Sequence, residues 1–335
     1  MELPQSGGAD PSGIETADGP GPQHSLRSEV AGGAIWALGG QAAVLVATLF
    51  ATPFLIRLLG PSEYGLWALL QSALLILTLG DLGMGVTSTR FASERHAHDD
   101  SRGEVTVIFT AIAITVAVTG LAALAVIAAA PFIVDQVLNL SGSLRDDGLL
   151  ALRVVCIAAV AYGVAGTIST PQQVRLRWGS LTLATTGPRV LQIVAAPLVL
   201  LVTNGGVVSL AVLATVVAAL AAGLNGAVAV HYQPRLRRPM FSRKAARTLL
   251  RFGGGLTLAG LAYIPLSTAE RFLLAHFHST TEVAYYAAAA TLGALLLTIP
   301  HSLSQVLLPA LARLSSAGRT EDHRRLYDRS LKGVF

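Results

Sequence analysis

Charge is what this sequence has least of. Only 13% of its 335 residues are Asp, Glu, Lys or Arg, against about 25% in an ordinary soluble domain. That deficit excludes a water-facing surface over most of the chain. Cysteine is nearly absent as well. Cys156 is the one example, so no internal disulfide framework can form. It sits in an apolar block and reads as a small buried residue. Lysine occurs only at Lys244 and Lys332, so arginine carries almost all of the net charge of +5. Catalytic signatures are missing too: no P-loop, zinc motif, nucleophile elbow or catalytic carboxylate pair. Gly253-Gly254-Gly255 is not followed by the Lys-Ser/Thr of a phosphate loop and reads as a packing or hinge element. His276 and His278 are two apart, whereas helical metal pairs are three or four apart. No enzyme activity, metal or cofactor is expected. Without an ATP site, any work must draw on an ion gradient, a membrane potential or a substrate gradient.

What the chain does have is apolar length. Hydrophobic residues make up 53% of it, gathered in long continuous blocks. A run of about 20 apolar residues can cross a bilayer as a helix. Continuous blocks, as opposed to alternating ones, favour helices over a β-barrel. The expected fold class is an all-α polytopic membrane protein. Eight spans are expected, near residues 32–59, 64–92, 105–134, 149–175, 181–202, 206–231, 249–276 and 283–314.

Arginine and lysine placement orients these spans. With the N-terminus in the cytoplasm, nineteen of the 24 Lys and Arg residues fall on the inner side. Arg57, Arg145, Arg153 and Arg271 fall outside, and Arg189 lies within the fifth span. Such a bias is the positive-inside pattern, and one missed helix would scramble it. In a membrane protein this charge reads as topology and not as nucleic-acid binding. Residues 1–28, rich in Gly, Pro and Ser, read as a disordered cytoplasmic tail.

The basic segment RLRRPMFSRKAARTLLRF divides the chain. Residues 29–232 form an N-terminal six-helix lobe, 233–248 a basic cytoplasmic linker, and 249–335 a partial C-terminal lobe. The linker reads either as a topology determinant alone or as a segment lying along the inner leaflet against anionic head groups. The second set of spans echoes the first. PSEYGLW at 61–67 corresponds to TTEVAYY at 280–286, each after a glycine pair and a span. Internal repeats of this kind are a transporter signature.

The first hairpin, Thr52 to Ala97, carries Pro53, Leu59-Gly60, Tyr64-Gly65 and Asp81-Leu82-Gly83; the second set carries Glu282, Ala284-Tyr285 and Leu308-Pro309. In these motifs the chain resembles the Wzx-type polysaccharide flippases of the multidrug/oligosaccharidyl-lipid/polysaccharide (MOP) exporter superfamily. The resemblance implies a MOP/MATE-like two-lobe bundle of twelve or more spans, of which about eight are present, the chain being short at its C-terminal end. It implies translocation of isoprenoid-diphosphate-linked oligosaccharide across the bacterial plasma membrane by alternating access. It also implies membrane lipids, a coupling cation (H+ or Na+), and polysaccharide polymerase and glycosyltransferases as partners. A cation-coupled drug exporter of the same superfamily and a non-transporting fragment stay open as alternatives.

A diphosphate substrate needs fixed cations, and arginine grips phosphate oxygens bidentately. Arg189, after Gly187-Pro188, is the leading candidate, followed by Arg90, Arg271 and Arg175. Each could instead be a boundary arginine whose stem snorkels to the surface. Asp81 and Glu270 are the intramembrane carboxylates, candidates for ion coupling or for structural bonds. Gly80, Gly83 and Gly85 around Asp81 predict a bent helix.

Overall fold

The structure is a computed structural model that describes residues 22–79, 83–203, 205–291 and 293. Asp81, residues 1–21, Leu308-Pro309 and most of the expected eighth span lie outside the described residues. All regular structure among the described residues is helical. Helix α1 runs Pro22–Leu79, α2 Met84–Ala97, and α3 Ser101–Phe132, continuing as a π-helical turn, Ile133–Val137. Then follow α4 (Ser143–Ile168), the short α5 (Thr170–Val174), α6 (Trp178–Thr203) and α7 (Gly206–Tyr232). A 3-10 turn, Pro234–Arg237, leads to α8 (Arg243–Phe277). Residues 280–291 are helical again. Helix α1 begins at Pro22, so residues 22–28 are helical where a disordered tail was expected.

Helix α1 is two antiparallel passes. Gly60 breaks it at φ 77°, ψ 163°, a conformation that glycine alone adopts without strain, and Pro61 restarts the helix. The contacts fix the reversal. Gly33 packs on Trp178 at the start of α6, and Ser88 Oγ lies 2.8 Å from Thr170 Oγ1 just before it. At the far end, Val207 N donates to Glu63 Oε2 at 3.2 Å. The second pass is interrupted between Leu79 and Met84, with Gly83 at φ 58°. This is the bend expected around Asp81.

Among the described residues five helices are long and apolar enough to cross a membrane, the first of them, Ile35–Thr78, containing the Gly60 reversal. Helix α8 coincides with the expected seventh span but is not one of the five. The outward faces of α3 and α6 are apolar: Leu121 is 71% exposed, Leu198 61% and Val202 83%. Contiguous apolar surface of that kind is a liability in water and the norm against lipid. Between helices, small and hydroxyl residues allow close approach. Thr115 and Thr167 link α3 to α4 at 3.0 Å. At the start of α3, Asp100 caps Gly103 N at 2.8 Å. That bond, together with Arg95, holds the Asp100 carboxyl below its ordinary range.

Helix α6 passes through Pro188 without breaking. Proline has no N–H, so the carbonyl four residues back, Ala184, loses its helical donor. Asn225 of α7, wholly buried, supplies one: its Nδ2 donates to Ala184 O at 2.9 Å. Its Oδ1 accepts from Gln172 Nε2 at 3.2 Å. One amide thus holds α5, α6 and α7 together directly behind Arg189. Asn225→Leu is expected to lower stability by about 1–3 kcal/mol, measured by thermal unfolding in detergent, because it orphans a buried carbonyl. In a Pro188→Ala background the carbonyl regains its helical donor. There Asn225→Leu should cost distinctly less, a coupling that a double-mutant cycle reads directly.

Candidate functional site

A cavity of 640 Å³ opens between the two passes of α1, α4, α6, α7, the end of α8 and the helix at 280–291. Its polar lining comes from side chains spaced along single helical faces. Tyr64, Gln71 and Thr78 recur every seven residues on the second pass; Thr185, Arg189 and Gln192 follow at four and then three on α6. Such spacing places each set on one stripe of its helix.

Arg189 and Arg271 both line the cavity, on α6 and α8 respectively. Arg189 is exposed to it, and Pro188 beside it is buried against the bundle. Arg271 Nη1 donates to Ser72 Oγ at 3.0 Å. Its Nε is buried without a partner, as is Gln71 Oε1. Opposite them, Tyr162 OH donates to Gln192 Oε1 at 2.8 Å. The cavity therefore presents two guanidinium groups, carboxamides and phenolic and threonine hydroxyls. No carboxylate occurs among its described lining residues.

Beside Tyr64 of the cavity lining, the two similar turns touch. Ser62 Oγ lies 3.0 Å from Thr281 Oγ1, and these residues occupy the same place in PSEYGLW and TTEVAYY. Gly65 abuts the Thr280 carbonyl so closely that a Cβ there would collide with it. Two copies of one motif thus meet face to face, as self-complementary contacts do across a two-fold axis. Nearby, Asn139 Nδ2 donates to His276 O at 2.9 Å, and His276 Nδ1 donates to the Val137 carbonyl at 3.1 Å.

The other candidates lie away from the cavity. Arg90 sits at the opposite end, its guanidinium 4.3 Å from the Phe252 ring centroid and 3.9 Å from Glu94. It joins α2 to α8. Arg175 is bound bidentately to Glu104, at 2.7 and 3.2 Å. Gln233 Nε2 also donates to Glu104 at 3.0 Å, and His96 Nδ1 is 3.4 Å away. Glu104 is fully buried, so Arg175 is the counterion that makes this carboxylate tolerable. Glu270 is half-buried beside Arg271 but does not line the cavity. Asp81 lies outside the described residues.

Several residues carry the site without standing out as charges: Gln71, Ser72, Tyr162 and Gln192. Their signal in the sequence is a polar side chain repeated at helical spacing inside an apolar run. Arg175→Ala is expected to destabilise the fold by about 3–5 kcal/mol, since it leaves Glu104 buried and uncompensated. Arg175→Ala with Glu104→Leu should recover most of that loss, measured as the denaturation midpoint in detergent.

The chain matches the family model described as "Polysaccharide biosynthesis protein" over residues 30–315. No curated protein matches it. The match spans both passes of α1, the cavity helices and the repeated turns, in an all-α fold with several membrane-crossing helices. This all-α, multi-pass membrane protein belongs to the polysaccharide biosynthesis protein family, the family of Wzx-type flippases that its hairpin motifs resemble.

Proposed function

We propose that the protein moves an isoprenoid-diphosphate-linked oligosaccharide across the bacterial plasma membrane for surface polysaccharide synthesis. In this reading the N-terminus is cytoplasmic. The observation that carries it is the cavity's chemistry: two arginines with amide and hydroxyl groups, and no described carboxylate. Guanidinium groups lining a cavity between membrane-spanning helices, where the effective dielectric is below that of bulk water, attract an anion. The hydroxyls and carboxamides suit a sugar, which both donates and accepts hydrogen bonds. The unpartnered Arg271 Nε and Gln71 Oε1 offer one donor and one acceptor to such a substrate.

A cationic drug would meet Arg189 and Arg271 with no described counter-charge in the lining, which weighs against the drug-exporter alternative. The paired turns at Ser62 and Thr281 would close one side of the cavity, and their separation would open it, the two states that alternating access needs. Polymerase and glycosyltransferases would supply and consume the substrate. A coupling cation, H+ or Na+, would act at Asp81 or Glu270.

Arg189→Ala or Arg271→Ala in the complete protein should reduce surface polysaccharide at unchanged protein level. A charge-assisted bond to phosphate contributes about 1.5–3 kcal/mol, so transport should fall roughly tenfold to a hundredfold. Flux of a lipid-linked oligosaccharide into the outer leaflet of proteoliposomes is the direct measurement. Unaltered flux in both variants, or a change in cationic-drug efflux instead, would reject the reading.

A further inference from the structure

The basic linker sets itself apart from every other group of arginines in the protein. Seven Lys and Arg residues lie between Arg235 and Arg251, and no acidic residue occurs from Gln233 to Ala269. All seven side chains are exposed. Several arginines elsewhere have carboxylate partners, Arg95 with Asp100 at 3.1 Å, Arg145 with Asp135 at 2.6 Å and Arg175 with Glu104 at 2.7 Å, and those without one are not gathered in a row of this length. None of the linker's seven is paired with a carboxylate of the described residues.

The segment is also held in place. At one end Gln233 donates to Glu104; at the other, Ser242 N donates to Thr110 Oγ1 at 3.2 Å. Both acceptors are on α3, so the linker is pinned across the end of that helix. Leu236 and Leu249 are buried and Met240 is half-buried, all in one cluster with Val105 and Ile108 of α3. With the apolar side chains taken up by the protein, the cations are left on the outer side. Phe241, 62% exposed, stands among them. A fixed, unpaired row of cations with an outward aromatic is the pattern of a surface that rests in a lipid headgroup layer. A topology signal alone needs only a charge count, and neither pinning nor an exposed Phe.

We infer that the linker together with the first turns of α8, residues 233–251, is a binding surface for anionic phospholipid head groups of the leaflet it faces. Its cations take the lipid phosphates and Phe241 sits at the glycerol level. The same segment joins α7 to α8 and is fastened to α3. The inference depends on the chain crossing a membrane and is independent of what the cavity carries.

The test is lipid selectivity of the complete protein in bilayer nanodiscs, read by electron paramagnetic resonance of spin-labelled phosphatidylglycerol and phosphatidylcholine. Phosphatidylglycerol should be immobilised at least threefold more than phosphatidylcholine. Arg235→Gln, Arg237→Gln, Arg238→Gln and Arg243→Gln together should bring the ratio close to one, whereas Arg57→Gln at the opposite end should leave it unchanged. Should the fourfold variant insert wrongly, the unaltered protein at roughly 1 M salt gives the same answer, because a Debye length of about 3 Å screens exposed charges. A ratio near one in the unaltered protein, or a preference that survives both treatments, overturns the proposal. Binding of poly-glutamate without lipid preference also overturns it and assigns the surface to an acidic protein. Transport assays do not enter this readout, so its failure and a failure of the flippase reading are distinguishable.

Discussion

Inside a bilayer no water completes an unfinished hydrogen bond, so each backbone or side-chain polar group must find its partner within the bundle. Much of this protein is arranged around that requirement. Pro188 leaves the Ala184 carbonyl without a helical donor, and Asn225 answers it from the next helix. Glu104 is buried with its charge, and Arg175 and Gln233 converge on it from α5 and the end of α7. Threonine and serine hydroxyls bond back to carbonyls one turn earlier, as Ser72 does to Ala68 at 3.0 Å. Two of the buried atoms left without a partner, Gln71 Oε1 and Arg271 Nε, belong to side chains that line the cavity. Three further buried atoms without a partner, Thr87 Oγ1, Thr119 Oγ1 and Gln172 Oε1, lie away from the cavity, so an unmet bond does not by itself mark a binding site.

The arginines divide along the same line. Arg145 and Arg175 have close carboxylates and hold helix ends together. Arg90 stacks on Phe252 and joins α2 to α8. Arg189 and Arg271 face the cavity. One residue type thus performs three tasks, and the neighbourhood decides which. A guanidinium next to a buried carboxylate is a counterion; the same group facing a cavity without a described carboxylate is the one that the proposed function uses to hold an anion.

The internal repeat also acquires a physical meaning. In the sequence, PSEYGLW and TTEVAYY are a faint echo. In space, Ser62 and Thr281 touch, and Gly65 lies against the Thr280 backbone. A glycine is needed there because two helix starts approach more closely than any side chain permits. The two similar segments are therefore in contact as well as alike in sequence.

Much of the fold was legible without coordinates, because hydrocarbon thickness fixes span length and the charge bias fixes alternation. The hairpin at Gly60, the break near Gly83, the fourth to sixth passes and Arg189's position inside α6 all follow from local pattern. Helix formation at 22–28 did not, because Pro and Ser and the lack of an apolar face there argue against it while continuity with the first pass extends the helix. The roles of Arg175 and Arg90 were not legible either: Glu104 is 71 residues from Arg175, and Phe252 lies on the far side of the linker from Arg90. Composition and period determined that the chain crosses a membrane, where it turns and which residues are polar within it. Only the packing of distant helices decided which of those polar residues are satisfied and which are left to bind, since that depends on partners that local sequence does not bring together.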